Sequence, residues 1–360
     1  MKIFFSGGGT LGSVIPLLAI KEHIEQKYNN TTFFWCGTKR GIENDIVKKQ
    51  HIPFFPLYCG KLRRYFSITT VLDGVGIIVG IAQSLYLLKK HAPDVCISAG
   101  GFVSFPLHVA AKILGIPTWV HQQDIHVGLA NKLLAPFASC VTVSVSELQK
   151  KFPKKEVCVL GNPVRKNIYT GDKNKAREIF RLQKNIPVVF VTGGGTGAIK
   201  LNEMIYDVLP QLIGKCQLVH LTGKNRGSKQ VVNLKKQYSW YHPYEFLSEN
   251  IHHLYAIADI VIFRGGFGTI TELAALEKAA ICIPKPGHQE KNAAYFAEKK
   301  ALITVSENTE SQILVRHITN LLDSEKKRTS IGKALFQALS MTKKEDVESL
   351  LDSLLSKKNT

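Results

Sequence analysis

"FFSGGGTLGSVIPLLAI", residues 4–20, sets an apolar run against a glycine cluster and then a stretch with helical spacing. "FVTGGGTGA", residues 190–198, repeats the arrangement in the second half of the chain. Apolar runs rich in β-branched and aromatic residues surround each copy. The first set is "KIFFS" (2–6), "TTFFWC" (31–36), "DVCIS" (94–98), "PTWVH" (117–121) and "CVTVS" (140–144). After residue 165 the pattern restarts with "PVVFVTGGG" (187–195), "QLVHLTG" (217–223), "DIVIFRGG" (259–266) and "AICIP" (280–284). Near-continuous apolar strands separated by helical patterns predict parallel sheets covered on both faces. The fold class is therefore α/β, with two doubly wound, Rossmann-like domains facing a cleft. The expected boundaries are 1–163, 164–339 and a C-terminal helix within 340–360 that packs back on the first domain. The joint falls at "GNPVRKN" (161–167), where Asn-Pro marks a turn.

Bulk properties agree with a two-domain globular protein. The chain has 360 residues, 45% hydrophobic and 21% charged. The start reads as a strand rather than a signal peptide, which would need a basic start, an apolar stretch and a small-residue cleavage site. The expected location is the cytoplasmic side. Seven scattered cysteines, none in a C-x-x-C pair, read as small buried hydrophobes rather than a disulfide framework. The net charge of +19 points to an anionic partner: nucleic acid, a phosphorylated ligand or anionic lipid. No nucleic-acid recognition motif accompanies the charge, so no nucleic-acid partner is expected.

Residues 7–12, "GGGTLG", formally match G-x-G-x-x-G. A dinucleotide site also wants a carboxylate at the end of the second strand, which here reads "FFWCGTKRG". No P-loop motif occurs. What remains is backbone amides at helix starts, which favour anions, or simply a tight turn. Four such loops follow apolar strands: 7–12, "SAGGFVSFP" (98–106), "TGGGTGA" (192–198) and "RGGFGTITE" (264–272). Ligands of open parallel sheets gather at the strands' carboxyl ends. Four loops there suggest a phosphorylated ligand.

The motifs "GGTLGSVIP" (8–16), "GGFVSFP" (100–106), "HQQD" (121–124), "GLANKLLA" (128–135), "GNPVR" (161–165), "GGGTGA" (193–198), "EFL" (245–247), "RGGFGTITE" (264–272) and "HQEKNA" (288–293) occur in the order of the MurG family. That family comprises peptidoglycan N-acetylglucosaminyltransferases of the glycosyltransferase-B fold, and the resemblance runs to about residue 300. It implies inverting transfer of N-acetylglucosamine from UDP-N-acetylglucosamine to lipid I, undecaprenyl-diphospho-N-acetylmuramoyl-pentapeptide, giving lipid II. It further implies no cofactor and no metal, in keeping with the lack of a D-x-D pair. By motif, Glu272 binds the ribose hydroxyls, the backbone of Leu247 reads uracil and Arg165 lies near the nucleotide. Gly194, Gly195, Gly268 and Thr269 hold the diphosphate, where the helix dipole stabilises leaving UDP. His288 and Gln289 contact the donor sugar, with Asn292 nearby. Gly9, Thr10, Gly12, Gly101, Ser104 and Asn131 face the acceptor.

Three departures stand out. Ser13 occupies the place of the family's histidine, a proposed general base. Gln122 and Asp124 replace a glutamate and an asparagine. Gly195 replaces a phosphate-contacting serine. A serine hydroxyl cannot take a proton from a sugar hydroxyl as an imidazole does. Either the base has moved to Asp124 or His126, with Ser13 left in the catalytic loop, or proton removal is late and positioning dominates. Asp124 has an alternative reading as the N-cap of "GLANKLLA". Glu272 reads alternatively as a first-turn helix carboxylate, and Gln289 with Asn292 as an exposed helix face.

The stretch 61–91, "KLRRYFSITTVLDGVGIIVGIAQSLYLLKKH", is apolar but broken by Asp73, Gln83 and glycines. From Lys39 to His91 there are nine Lys and Arg against three Asp and Glu. This reads either as an interfacial patch that docks on an anionic membrane, placing the protein peripherally on the cytoplasmic face, or as a core helix behind a basic loop. Other cell-wall enzymes are further candidate partners. The competing functions are a same-fold transferase with another lipid or glycan acceptor, an inactive UDP-sugar-binding protein and, less favoured, a UDP-sugar 2-epimerase.

Overall fold

The computed structural model describes residues 1–60, 68–152, 156–195, 197–227, 229–247 and 249–356, without the side chains of 68–73 and 229. The chain divides into two compact units, one of Met1–Arg165 with Ser340–Thr360 and one of Lys166–Leu339.

The first unit carries strands β1 (Lys2–Ser6), β2 (Thr32–Gly37), β3 (Phe54–Pro56), β4 (Val95–Ser98), β5 (Thr118–Gln122), β6 (Cys140–Val143) and β7 (Val157–Val159). Its helices are α1 (Ile15–Lys27), α2 (Glu43–Lys49), α3 (Ile68–His91), α4 (Ser104–Ile113) and α5 (Leu129–Leu134). The sheet is parallel, in the order β3-β2-β1-β4-β5-β6-β7. Chain order reverses at β1, whose neighbours are β2 and β4. Loops after β1 and β4 therefore leave the sheet on opposite faces, which opens a crevice at the strand ends.

The second unit carries β8 (Val188–Thr192), β9 (Gln217–Leu221), β10 (Tyr241–Tyr244), β11 (Ile260–Phe263), β12 (Ala280–Cys282) and β13 (Ile303–Thr304). Its helices are α6 (Lys173–Phe180), α7 (Ile199–Val208), α8 (Lys229–Gln237), α9 (Ile251–Ile257), α10 (Phe267–Ala275), α11 (His288–Glu298), α12 (Ser311–Leu322) and α13 (Glu325–Ala338). The parallel order is β10-β9-β8-β11-β12-β13, so here the reversal lies at β8 and β11. The four glycine loops of the sequence are thus the four loops that follow the strand pairs at the two reversal points.

The last helix, α14 (Lys344–Ser356), returns to the first unit. Val347, Leu351 and Leu354 join Ile3, Phe5, Leu17 and Trp35 in one buried cluster. Lys27 reaches Asp352 at 2.9 Å, and the Tyr28 hydroxyl donates to the same carboxylate.

Helix α3 is buried along one side and exposes apolar residues on the other. Gly80, Ser84 and Leu88 are buried on its inner side. A Cβ at Gly80 would come within 2.0 Å of the Tyr58 carbonyl oxygen, so the glycine is there for close packing. The outer side leaves Val75, Ile78, Val79 and Tyr86 exposed, with Tyr58 also exposed nearby in sequence to the packed segment. The basic residues Lys61, Arg63 and Arg64 of that stretch lie outside the described residues. Among the described residues no helix is long and apolar enough to cross a membrane.

Candidate active site

In the first unit three loops meet. After β1 the chain turns through Gly7–Thr10 and a short 3₁₀ turn, Leu11–Ser13, into α1. The loop after β4 backs onto it: Gly101 has φ +89°, and a Cβ there would sit 3.0 Å from the Gly8 carbonyl oxygen. Only glycine fits both the left-handed backbone and that approach. Ser104, the first residue of α4, donates to the Gly101 carbonyl at 2.6 Å and so closes this loop. The third loop follows β5. Gln123 Nε2 donates to the Gly12 carbonyl and ties it to the first.

The third loop is held by amides. Asn131 Nδ2 donates to the His121 carbonyl at 3.1 Å and to Gln122 Oε1 at 2.8 Å. Gln122 Nε2 in turn donates to the Asp124 carbonyl at 2.7 Å and the His126 carbonyl at 3.3 Å. A carboxylate at 122 could not make those last two bonds, having no proton to donate. His121 is wholly buried beneath, with Nδ1 2.9 Å from Thr142 Oγ1 and Nε2 3.0 Å from Asn162 Oδ1. Asn162 Oδ1 can only accept, so His121 carries its proton on Nε2, and Nδ1 of the neutral ring accepts from the Thr142 hydroxyl, which itself accepts from Trp119 Nε1. Burial lowers the His121 pKa to about 4, against a smaller rise from the Asn162 bond, so the ring is neutral at pH 7. It is a prop for the loop, not a proton shuttle.

In the second unit the loops after β8 and β11 run into α7 and α10. Gly194 has φ +76°, and no atom lies within 4 Å of where a Cβ would stand at Gly194, Gly266 or Gly268. Gly266 caps α10, with no side chain bonded to the cap, so the amides of its first turn are left to other acceptors. Asn292, wholly buried on α11, donates to the Gly265 carbonyl at 3.3 Å and fixes the loop. Arg264 is buried in an ion pair with Glu307 at 2.7 Å.

Comparison with known proteins follows the same division. The glycosyltransferase family 28 N-terminal domain matches residues 3–143, and the family 28 C-terminal domain matches residues 188–350. A UDP-N-acetylglucosamine–N-acetylmuramyl-(pentapeptide) pyrophosphoryl-undecaprenol N-acetylglucosamine transferase of Bacillus cereus is 33% identical over 92% of this chain and 95% of its own. The transferase of that name from Lachnoclostridium phytofermentans is 35% identical over 90% of this chain and 92% of its own. The chain belongs to glycosyltransferase family 28, among the MurG-type transferases. The crystal structure of Acinetobacter baumannii MurG shares the fold, with a TM-score of 0.74 at 23% identity over 98% of this chain and 99% of that one. The family 28 chain is thus a glycosyltransferase with two parallel-sheet α/β domains.

The residues singled out in the sequence occupy distinct settings in this family 28 framework. Thr10, Gly12, Ser13, Gly101, Asp124 and His126 lie on the meeting loops of the first unit, while Ser104 opens α4 and Asn131 lies on α5, bonded to Gly101 and to the end of β5 respectively. Asp124 and His126 are half-buried. Asp124 does not cap α5, because Gly128 does. Ser13 is buried, its hydroxyl 3.4 Å from the carbonyl oxygens of Gly8 and Thr10 in its own loop. Gly194 and Gly195 lie on the loop after β8, and Gly268 and Thr269 in the first turn of α10. Glu272 is buried one turn further along α10, whose first turn holds no acidic residue, so the first-turn reading fails. Asn292 is likewise no part of an exposed face. Gln289 Oε1 accepts from the Lys285 amide at 3.1 Å, and His288, the first residue of α11, is exposed. Leu247 follows β10 and is partly exposed, and Arg165 ends the first unit. Gln123, Arg264 and Glu43 were not singled out in the sequence. Gln123 and Arg264 fall inside the motifs HQQD and RGGFGTITE, whereas no local pattern sets Glu43 apart.

Proposed function

We propose that this chain transfers N-acetylglucosamine from UDP-N-acetylglucosamine to the 4-hydroxyl of the N-acetylmuramoyl-pentapeptide of lipid I, giving lipid II. The observation that carries the reading is the match to transferases named for this reaction along more than nine-tenths of their length, both domains included. The loops of the second unit take the donor. Uncapped amides at the start of α10, with Gly268 and Thr269, and those of Gly194 and Gly195 donate to the diphosphate. Glu272 binds the ribose, Leu247 the uracil edge, Arg165 the nucleotide, and His288 and Gln289 the sugar, with Asn292 holding the loop beneath. The loops of the first unit, with Thr10, Gly12, Gly101, Ser104 and Asn131, take the acceptor.

In the reaction the 4-hydroxyl oxygen bonds to the anomeric carbon as the carbon–oxygen bond to the diphosphate breaks, with inversion. UDP leaves with the electron pair, and the hydroxyl proton passes to a base on the 124–126 loop, with Asp124 the first candidate. Placing donor and acceptor, and stabilising the charge that develops on UDP, supply most of the acceleration.

The test is UDP release by the purified protein from UDP-N-acetylglucosamine with and without a short-chain lipid I analogue. Release that requires lipid I, with a disaccharide product, supports the reading. UDP binding without lipid-I-dependent release sinks it and favours another acceptor or a binding role without turnover. The internal bonding of Ser13 is what recommends the latter.

The exposed stripe of α3 gives a lipid-linked acceptor a place to be met: apolar residues enter the interface while Lys89 and Lys90 at the helix end meet anionic headgroups. Peripheral attachment to the cytoplasmic face follows. Ile78→Glu is expected to weaken sedimentation with anionic phospholipid vesicles by about tenfold or more, from the loss of one buried aliphatic side chain. UDP affinity should not change. Equal sedimentation of the variant and the parent would remove this face from the docking surface.

A further inference from the structure

Glu43, the first residue of α2, is wholly buried although no role was read for it in the sequence. Its Oε2 accepts from the Gly9 amide at 3.2 Å. Its Oε1 accepts from the Thr38 amide at 2.7 Å and from the Thr38 hydroxyl. The glycines around it leave it room: a Cβ at Gly8 would come within 2.3 Å of Oε1, and one at Gly41 within 1.9 Å of Oε2. Gly8, one of the glycines that first suggest a ligand site, therefore also accommodates an internal carboxylate. That group fastens the loop after β1 to the loop after β2.

We infer that Glu43 is a positioning residue for the transfer: it sets the Gly8–Gly9 segment and, through it, the loop that carries Thr10, Gly12 and Ser13. The inference rests on the reading of that loop as part of the acceptor site. A buried carboxylate is costly unless every oxygen is bonded, and here both oxygens are bonded, one to the loop after β1 and the other to the loop after β2. The Gly9 amide is thereby already filled, so this amide orients the loop rather than cradling a substrate phosphate.

Glu43→Gln separates a positioning role from a merely structural one. The new amide keeps its oxygen toward the Thr38 amide, which can only donate, and turns its NH₂ toward the Gly9 amide, which then has no acceptor. Hydrogen exchange of residues 7–13 is expected to quicken by about tenfold or more, while residues 193–195 of the second unit stay unchanged. kcat for lipid-I-dependent transfer should fall about tenfold to a hundredfold, with the KM for UDP-N-acetylglucosamine within about twofold of the parent. Gly41→Ala, which crowds the carboxylate from its far side, should reproduce both signatures and serves should the glutamine variant not fold. Unchanged exchange at 7–13, unchanged kcat, or a rise in exchange spread evenly through the first unit would each overturn the proposal. Exchange needs no turnover. A parent protein without lipid-I-dependent release would therefore sink the acceptor assigned above, while the exchange result still decides whether Glu43 orders the loop.

Discussion

Asp124→Asn is expected to lower kcat for lipid-I-dependent UDP release by about 10²–10⁴-fold, the range for removal of a general base, with little change in the KM for UDP-N-acetylglucosamine. The expectation comes from what the first unit offers near its meeting loops. Ser13 stands where the family resemblance places a histidine, and its hydroxyl faces the carbonyls of Gly8 and Thr10. His121 is buried, neutral and bonded at both nitrogens. Glu43 is spent on Gly9 and Thr38. Asp124 and His126 remain on one strap, partly open to solvent, and the Gln122 amide holds the carbonyl of each. His126→Ala is the necessary companion. A larger loss in that variant would move the base to His126. A loss below tenfold in both would mean that proton removal trails the carbon–oxygen bond change, leaving positioning and leaving-group stabilisation as the source of the rate.

The same strap explains why glutamine suits position 122. A glutamate there could accept from Asn131 but could offer nothing to the two carbonyls that the present amide binds. Relative to the family pattern, a carboxylate has left position 122 and one has arrived at 124. Here the buried anchor is an uncharged donor, and the carboxylate stands on the partly exposed residue that the anchor holds.

How far the fold is legible in the sequence depends on where a strand lies in its sheet. The nine apolar runs correspond to β1, β2, β4, β5, β6, β8, β9, β11 and β12. The four strands without such a run, β3, β7, β10 and β13, are the edge strands of the two sheets. A central strand is covered on both faces and must be apolar throughout, which leaves an unbroken run. An edge strand pairs on one side only and is partly exposed, as the sequences FFP, VCV, YHPY and IT show. The site is legible for a related reason. Glycines at strand ends are a local signal, and they marked the loops beside both reversal points. Glu43, Gln123 and Asn292 act on loops 34, 111 and 27 residues away. Nothing in the neighbouring residues records such a bond, so a carboxylate that orders a glycine loop looks like any other charge at the start of a helix. The readings of Asp124 as a cap and of Glu272 as a first-turn carboxylate failed likewise, since both turn on helix starts that moved by only a few residues.

Acid is expected to unfold this protein through three histidines rather than through its carboxylates alone. His108 and His121 in the first unit and His220 in the second are wholly buried. Burial lowers their pKa values to about 3, about 4 and about 3, from the ordinary 6.5. A histidine whose folded pKa is depressed stays neutral in the native state while the unfolded chain takes up a proton below 6.5. The unfolded state then binds more protons, so stability falls as pH drops from 6.5 toward 4, by about 1.4 kcal/mol per pH unit for each fully depressed group. His121 and His220 are each bonded at both ring nitrogens, and removing either would unmake a network as well as a titration. His108 lacks a hydrogen-bond partner at either nitrogen among the described residues, so it can be replaced cleanly. His108→Leu should leave stability at pH 7.5 near that of the parent or above it, because no bonded partner is orphaned. In urea titrations between pH 7.5 and 5 its unfolding free energy should fall less steeply, by about 1.4 kcal/mol per pH unit below 6.5. Parallel pH profiles for the variant and the parent would show that His108 takes up its proton in the native state, and would transfer the acid sensitivity to the other two rings.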